Sequence, residues 1–124
     1  MKAYGKKAWL IADNYLNSVS LNDWNSHESV CVLNTSDEDA KLRFTLFYED
    51  REPNTDFTSV CHARRTHHVR LDKIRSSEGR PIETDVPYAM LVESSVPVVI
   101  QYSRLDTSHK EMALMTTIAY PVEE

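Results

Sequence analysis

Ser26-His27-Glu28-Ser29-Val30-Cys31-Val32-Leu33-Asn34, then Thr35-Ser36-Asp37-Glu38-Asp39, then Ala40-Lys41-Leu42-Arg43-Phe44-Thr45-Leu46-Phe47-Tyr48-Glu49-Asp50 is the stretch that decides the fold. It reads as a strand, a tight polar turn and a second strand, together a hairpin. Leu42, Phe44, Leu46 and Tyr48 share one face of the second strand and Lys41, Arg43 and Thr45 the other, the period of two of a half-buried strand. Burying each large apolar side chain is worth about 1.5–3 kcal/mol, so that face commits the segment to a core. Asn34, at the end of the first strand, has a side chain suited to bonding backbone N–H groups two residues on and closing the turn. At the entrance stand His27 and Glu28, a polar pair that a scaffold strand does not need.

Upstream, Met1 to Lys7 is a polar, basic lead-in and Trp9-Leu10-Ile11-Ala12 a short buried strand. Trp9 is large enough to bridge two layers of a core, and its indole N–H requires an acceptor. Asp13 to Asn25 scatters Leu16, Val19 and Leu21 among asparagines and serines and reads as a long surface loop, a kind of segment that often carries function. Downstream, Phe57 to Ala63 is a strand that Arg64-Arg65-Thr66 interrupts and His67 to Arg70 resumes. Leu71 to Ile74 is a single helical turn and Arg75 to Thr84 a loop. Tyr88 to Ser94 is a strand, Pro97 breaks from it, and Val98 to Tyr102 is another. Ala113 to Tyr120 is the last strand, and Pro121 to Glu124 is a tail. Some eight short strands with no amphipathic helix predict an all-β chain, a single-domain antiparallel β-sandwich over residues 1–124.

Composition agrees with one soluble globular domain, 41% hydrophobic and 27% charged over 124 residues. A net charge of −5 argues against a general nucleic-acid binder, which needs a basic footprint. Cys31 and Cys61 are too few for a disulfide scaffold and read as reduced thiols. The apolar run after Lys6-Lys7 ends at Asp13, short of a secretory signal, and Val96 to Ile100 is far too short to span a bilayer. A cytoplasmic protein is expected, with any membrane role coming through a partner.

The chemistry-bearing patterns exclude more than they nominate. Gly5 and Gly79 are the only glycines, so there is no glycine-rich phosphate loop and no G-x-S-x-G elbow. Ser26-His27-Glu28 contains the residue types of a nucleophilic relay, but consecutive strand residues alternate faces, and the chain reads as no enzyme. Cys61-His62 and His67-His68 would each lend at most one metal ligand for the same reason, with Cys31 or His27 to complete a set; a buried thiol and solvated histidines is the preferred reading. Asp37-Glu38-Asp39 lacks the glycine and distal glutamate of a calcium loop. No metal and no cofactor are expected.

Basic residues gather at Arg64, Arg65, Arg70, Lys73 and Arg75, with Asp72 the single acid among them. Three readings stand for this patch: a solvated strand face, a site for an anionic or hydroxyl-rich small ligand held by planar arginine forks, and a footprint for nucleic-acid phosphates. The position of Arg64 and Arg65 between Val60-Cys61 and Val69 suggests that one points toward a partly buried region, where it requires an acid. Glu28, Asp13 and Asp106 are available at strand ends. A Glu28–arginine pair would serve as a structural ion pair or as a sugar-binding dyad, with Trp9 or Tyr102 as a stacking platform.

Several motifs carry a resemblance over nearly the full length. They are His27-Glu28-Ser29-Val30-Cys31-Val32-Leu33-Asn34 with Asp37-Glu38-Asp39-Ala40, Ala63-Arg64-Arg65-Thr66 with His68-Val69-Arg70, Trp9-Leu10-Ile11-Ala12, Val96 to Gln101, Arg104-Leu105-Asp106 and Thr117-Ile118-Ala119-Tyr120. In these the chain resembles the Anabaena sensory rhodopsin transducer family. The resemblance implies an eight-stranded sandwich forming a homotetramer, with a binding or signalling role. It implies a small sugar-like ligand, and as further partners a membrane sensory rhodopsin and DNA. It also makes His27, Glu28, Arg64, Arg65, Gln101, Arg104 and Asp106 candidate ligand contacts, with Trp9 holding the sheets together and Asn34 closing the hairpin turn. The loop from Asn14 to Asn25 departs from the proline- and glycine-rich segment expected there, having neither residue and carrying Trp24.

Overall fold

The structure, a computed structural model, describes residues 1–21 and 23–123. Asn22 of the loop and Glu124 of the tail therefore lie outside the described residues. The eight strands are β1 (Lys6–Tyr15), β2 (His27–Asn34), β3 (Ala40–Tyr48), β4 (Asn54–Cys61), β5 (Arg65–Arg70), β6 (Pro87–Asp106), β7 (Ala113–Ile118) and β8 (Tyr120–Pro121). All pairings are antiparallel, and there is no helix among the described residues, let alone one long and apolar enough to cross a membrane.

The stretch Ser26 to Asp50 does not form a hairpin. No pairing joins β2 to β3; both pair with β6, β3 along Tyr88–Ser94 and β2 along Val99–Leu105. They run one after the other down the same long strand, and Thr35–Asp39 is a corner between them. β4 and β5 repeat the arrangement one strand further out, β4 on β3 and β5 on β2, with a second corner at His62–Arg64. The architecture is thus a single sheet bent into two halves, in which corners carry strands from one layer to the other. Both halves supply the core: Leu42, Phe44, Leu46, Met90 and Val92 from one, Val30, Val32, Ile100 and Tyr102 from the other.

β6 is the axis of the bend. The sequence suggests two strands separated by Pro97, yet Pro87–Asp106 is continuous. Pro97 is tolerated because it falls between the two ladders, β3 having ended at Ser94 and β2 starting at Val99, where no N–H is needed. Gly5 sits beside the bend with φ at 108°, so close to the Val98 carbonyl that a Cβ would lie 2.0 Å from its oxygen. Trp9 is buried, and its indole N–H lies 3.0 Å from both the Lys6 and Val98 carbonyls, so it serves packing and offers no stacking face.

Asn34 clamps both corners. Its Nδ2 donates to the carbonyls of Glu38 (2.8 Å), Cys61 (3.1 Å) and His62 (3.3 Å), and its Oδ1 accepts from the Ser36 backbone N–H (3.0 Å) and hydroxyl (2.7 Å). What it closes is a pair of corners in a folded sheet, not a hairpin turn.

The first strand is longer than Trp9–Ala12. β1 runs to Tyr15, and a register shift between Ile11 and Asn14 changes which side chains face in. Trp9 and Ile11 face the core before it and Asn14 after it. The loop that follows is not wholly superficial: Leu16 and Ser26 are buried, while Trp24 is exposed. The last strand breaks at Ala119 into β7 and β8, and every residue of β7 is exposed.

Candidate functional site

On β2 the side chains of Glu28, Val30, Val32 and Asn34 are all buried, so Glu28 faces into the protein at the end away from the corners. It is fully buried. Its Oε1 accepts from the Tyr88 phenol at 2.7 Å, and its Oε2 accepts from the Tyr15 backbone N–H at 2.8 Å and from the Tyr102 phenol. Glu28 and Arg104 are directly paired across β2 and β6, and Arg104 Nη2 lies 3.7 Å from Oε2. Arg104 is fixed in turn by Nε donating to the Tyr102 phenol oxygen (3.0 Å) and Nη2 to the Asp13 carbonyl (3.1 Å).

Burial raises the Glu28 carboxyl above its ordinary value, opposed by the bonds from Tyr88 and Tyr15 and by the Arg104 charge. Burial and the adjacent carboxylate together push the Tyr88 phenol well above its ordinary value, so it remains a donor. Asn14 completes the cluster. It pairs with Tyr88 across β1 and β6, is fully buried, and neither its Oδ1 nor its Nδ2 has a partner among the described residues.

Beside Arg104 is a cavity of about 100 Å³ lined by Tyr15, Asn17, His27, Arg104, Leu105 and Asp106. His27 is held by Nδ1 against the Asn25 carbonyl at 2.9 Å. Asp106 accepts from the Ser108 hydroxyl and backbone N–H, which lower its carboxyl below the usual range. Arg104 Nη1 donates to no group among the described residues.

His27, Glu28, Arg104 and Asp106 therefore converge, while Arg64 and Arg65 do not join them. Asn34 pairs with Arg65 and Glu28 with Arg104, at opposite ends of β2, about 20 Å apart at roughly 3.3 Å per residue. Nor are the two arginines mid-strand. Arg64 has φ at 54° and turns the corner after β4, and both side chains are exposed. Arg65 lines an open groove of about 700 Å³ with Asp39, His62, Thr66 and His67. The arginine that meets Glu28 is Arg104. Gln101 is exposed on the outer face between Cys31 and Ile118, away from both places. The basic patch is partly neutralised, Arg70 bonding both oxygens of Asp72 at 2.8 Å and Arg64 lying 3.7 Å from Asp37. Among the described residues no three histidine, cysteine or carboxylate side chains converge as a metal set would.

The residues that the sequence did not single out are Asn14, Tyr15, Asn17 and Tyr88. Parity held the signal for one of them: Tyr88, Met90 and Val92 alternate in register, marking Tyr88 as inward-facing. Asn14 was hidden by the register shift.

Fold and site together define an all-antiparallel β protein, one bent sheet closed around a buried carboxylate, two phenols and a guanidinium. The chain belongs to the family described as Anabaena sensory rhodopsin transducer, whose profile matches residues 4–121. Among solved structures it is similar to Thermotoga maritima 1070, at 39% identity and a TM-score of 0.86, over 96% of this chain and 97% of that one. It is also similar to the Anabaena sensory rhodopsin transducer itself, at 37% identity and a TM-score of 0.75, over 85% of this chain and 92% of that one. Among curated proteins none matches the sequence significantly.

Proposed function

We propose that this chain is a cytoplasmic, non-catalytic binding and signalling protein, one domain over residues 1–124, that recognises a small polar, sugar-like ligand at the Glu28–Arg104 end of β2 and β6. One observation carries the reading. The Arg104 guanidinium is held by Tyr102 and Asp13 while Nη1 has no partner among the described residues, and Arg104 lines a cavity whose other walls are Tyr15, Asn17, His27, Leu105 and Asp106. A planar, preorganised donor fork among amide, imidazole and carboxylate groups suits hydroxyl and carboxylate oxygens.

Thermal-shift measurement against a panel of neutral sugars and sugar acids tests it. A ligand at 100 times its dissociation constant stabilises the fold by about 2.7 kcal/mol. Asn17→Ala and His27→Ala, which touch the cavity and not Glu28, are expected to weaken that shift. Silence across the whole panel would overturn the reading.

A homotetramer is part of the proposal. β7 supports it, its six residues all exposed and including Leu114 at 76% and Ile118 at 56%. Light scattering on Leu114→Arg with Ile118→Arg tests it, and an unchanged mass would exclude β7 as the contact.

A second reading is a transducer coupling a membrane photoreceptor to DNA; the family and the name of the Anabaena relative support its sensory-rhodopsin half alone. Its membrane half predicts co-purification with a retinal-bound sensory rhodopsin. Its DNA half predicts affinity that falls steeply with salt, and a flat response would dismiss it.

A further inference from the structure

The cavity at Arg104 is too small for a sugar ring. Its volume of about 100 Å³ lies well below the roughly 300 Å³ at which small-molecule pockets begin. It accommodates the equivalent of about three waters at roughly 30 Å³ each, which is the size of a charged end group and its nearest shell. Any ligand must therefore enter end first, and the cation that lines the cavity is Arg104.

A second negative charge there faces a difficulty. Glu28, 3.7 Å from Arg104, already neutralises the guanidinium and has no water around it to screen a newcomer. The other charges bearing on Glu28 do not help. From β1, Asp13 adds further negative charge and Tyr15 contributes only its backbone N–H. From β6, Tyr88 and Tyr102 are neutral donors, and Asp106 lines the cavity as an acid. On β2 itself His27 is the neighbouring titratable group; Tyr48 of β3 packs against Tyr88, and Asp72, beyond β5, is already taken by Arg70.

Glu28 can give up its charge without losing its place. The phenols and the Tyr15 N–H still contact a neutral carboxyl, and a phenol oxygen, able to accept as well as donate, lies at hydrogen-bond distance for the acid proton. The Asn14 amide is buried opposite Tyr88 with an unpartnered Oδ1. Desolvation already biases Glu28 toward the protonated form.

We propose, resting on the ligand site assigned above, that its ligands carry a carboxylate and that Glu28 takes up one proton from solvent as that carboxylate docks on Arg104. One anion and one proton enter together. The net charge of the cluster is conserved, and no covalent bond is made or broken.

D-glucuronate and D-glucose, identical but for the carboxylate, are the probes. Calorimetry of glucuronate binding at pH 7 in phosphate and in Tris, which differ in ionisation enthalpy, is expected to count close to one proton taken up. Affinity is expected to fall by up to tenfold per pH unit between pH 6 and pH 8. Because His27 is the imidazole that lines the same cavity, it is the necessary control: the slope persists in His27→Gln and vanishes in Glu28→Gln. The proton count on the unmodified chain stands whether or not Glu28→Gln folds. Glucose binding as well as glucuronate, with no proton uptake by either, overturns the inference and leaves the site reading intact. A slope lost in His27→Gln and kept in Glu28→Gln also overturns it. No binding by either probe overturns the assignment of sugar acids to this site, and silence from the wider panel removes the site reading as well.

Discussion

Replacing Arg104 by methionine keeps the hydrophobic stem and removes the charge from a cation that sits 3.7 Å from a fully buried carboxylate. At an effective dielectric of about 20 a pair at that distance attracts by about 4 kcal/mol. Arg104 is 25% exposed, so water screens part of this, and the variant also recovers the cost of desolvating the guanidinium. A loss of about 2–3 kcal/mol at pH 8 is therefore expected, at or below the lower end of the roughly 3–5 kcal/mol that breaking a fully buried pair costs. The loss should depend on pH. Glu28 has a folded-state value above its ordinary 4.5, so the folded chain binds more protons than the unfolded one. Its contribution to stability is full below about that ordinary value and is lost as pH rises through the raised one. Removing Arg104 raises the folded value further and widens that window. A larger share of the variant's Glu28 is neutral at pH 5 than at pH 8, and the deficit should shrink toward about 1 kcal/mol, the lost bonds to Tyr102 and Asp13. Urea denaturation of both proteins at pH 5 and pH 8, compared at equal m-values, is the assay. A deficit equal at both pH values, or larger at pH 5, would refute the account of Glu28 as a charge compensated by Arg104.

Tyr88→Phe deletes one charge-assisted bond to Glu28 and should cost about 1.5–3 kcal/mol by the same assay at pH 8, with a smaller loss at pH 5. Asn34→Ala removes the donor to three carbonyls and the acceptor for Ser36 at once; about 3 kcal/mol is expected by denaturation, with amide exchange accelerated first at Ser36 and Arg64. Gly5→Ala should lower the melting temperature markedly, by about 2–4 kcal/mol of stability, because the added Cβ meets backbone rather than a side chain that can swing aside. A melting curve unchanged from the parent would show that the bend can relax there.

The strands were legible because each half of the sheet is one-sided. Leu42, Phe44 and Leu46 alternate with Lys41 and Arg43, and that pattern survives whichever strand is the partner. Partnership itself was not legible. A polar Thr35–Asp39 segment between two alternating strands serves equally for a hairpin and for a corner; only the length of β6 distinguishes them, and Pro97 disguised that length. The site was half legible for the same reason. Glu28 shares the parity of Val30 and Val32, and Arg104 that of Ile100 and Tyr102, so both are marked as inward-facing polar residues in apolar registers. Linking Glu28 to Arg64 or Arg65 instead followed from treating the arginine pair as mid-strand, when Arg64 turns a corner.

The bend also explains why the cluster has the members it has. Tyr88 and Tyr102 belong to one strand and lie fourteen residues apart, about 46 Å in a straight strand at roughly 3.3 Å per residue. Their phenols nevertheless grip the two oxygens of one carboxylate. That is possible only because β6 folds back on itself, the first tyrosine in one half of the sheet and the second in the other. Asn34 fastens the halves at the corners, and Glu28, six residues earlier on the same face of β2, fastens them at the open end. The two fasteners differ in kind. Asn34 is neutral and fully bonded, so pH and ligands leave it unmoved. Glu28 carries a charge held in balance by a partly exposed cation, and Arg104 is the one member of the cluster within reach of solvent. A group that docks on Arg104 would therefore act on the contact that closes the sheet, and the proposed binding site and the clasp share Arg104 and its pairing with Glu28.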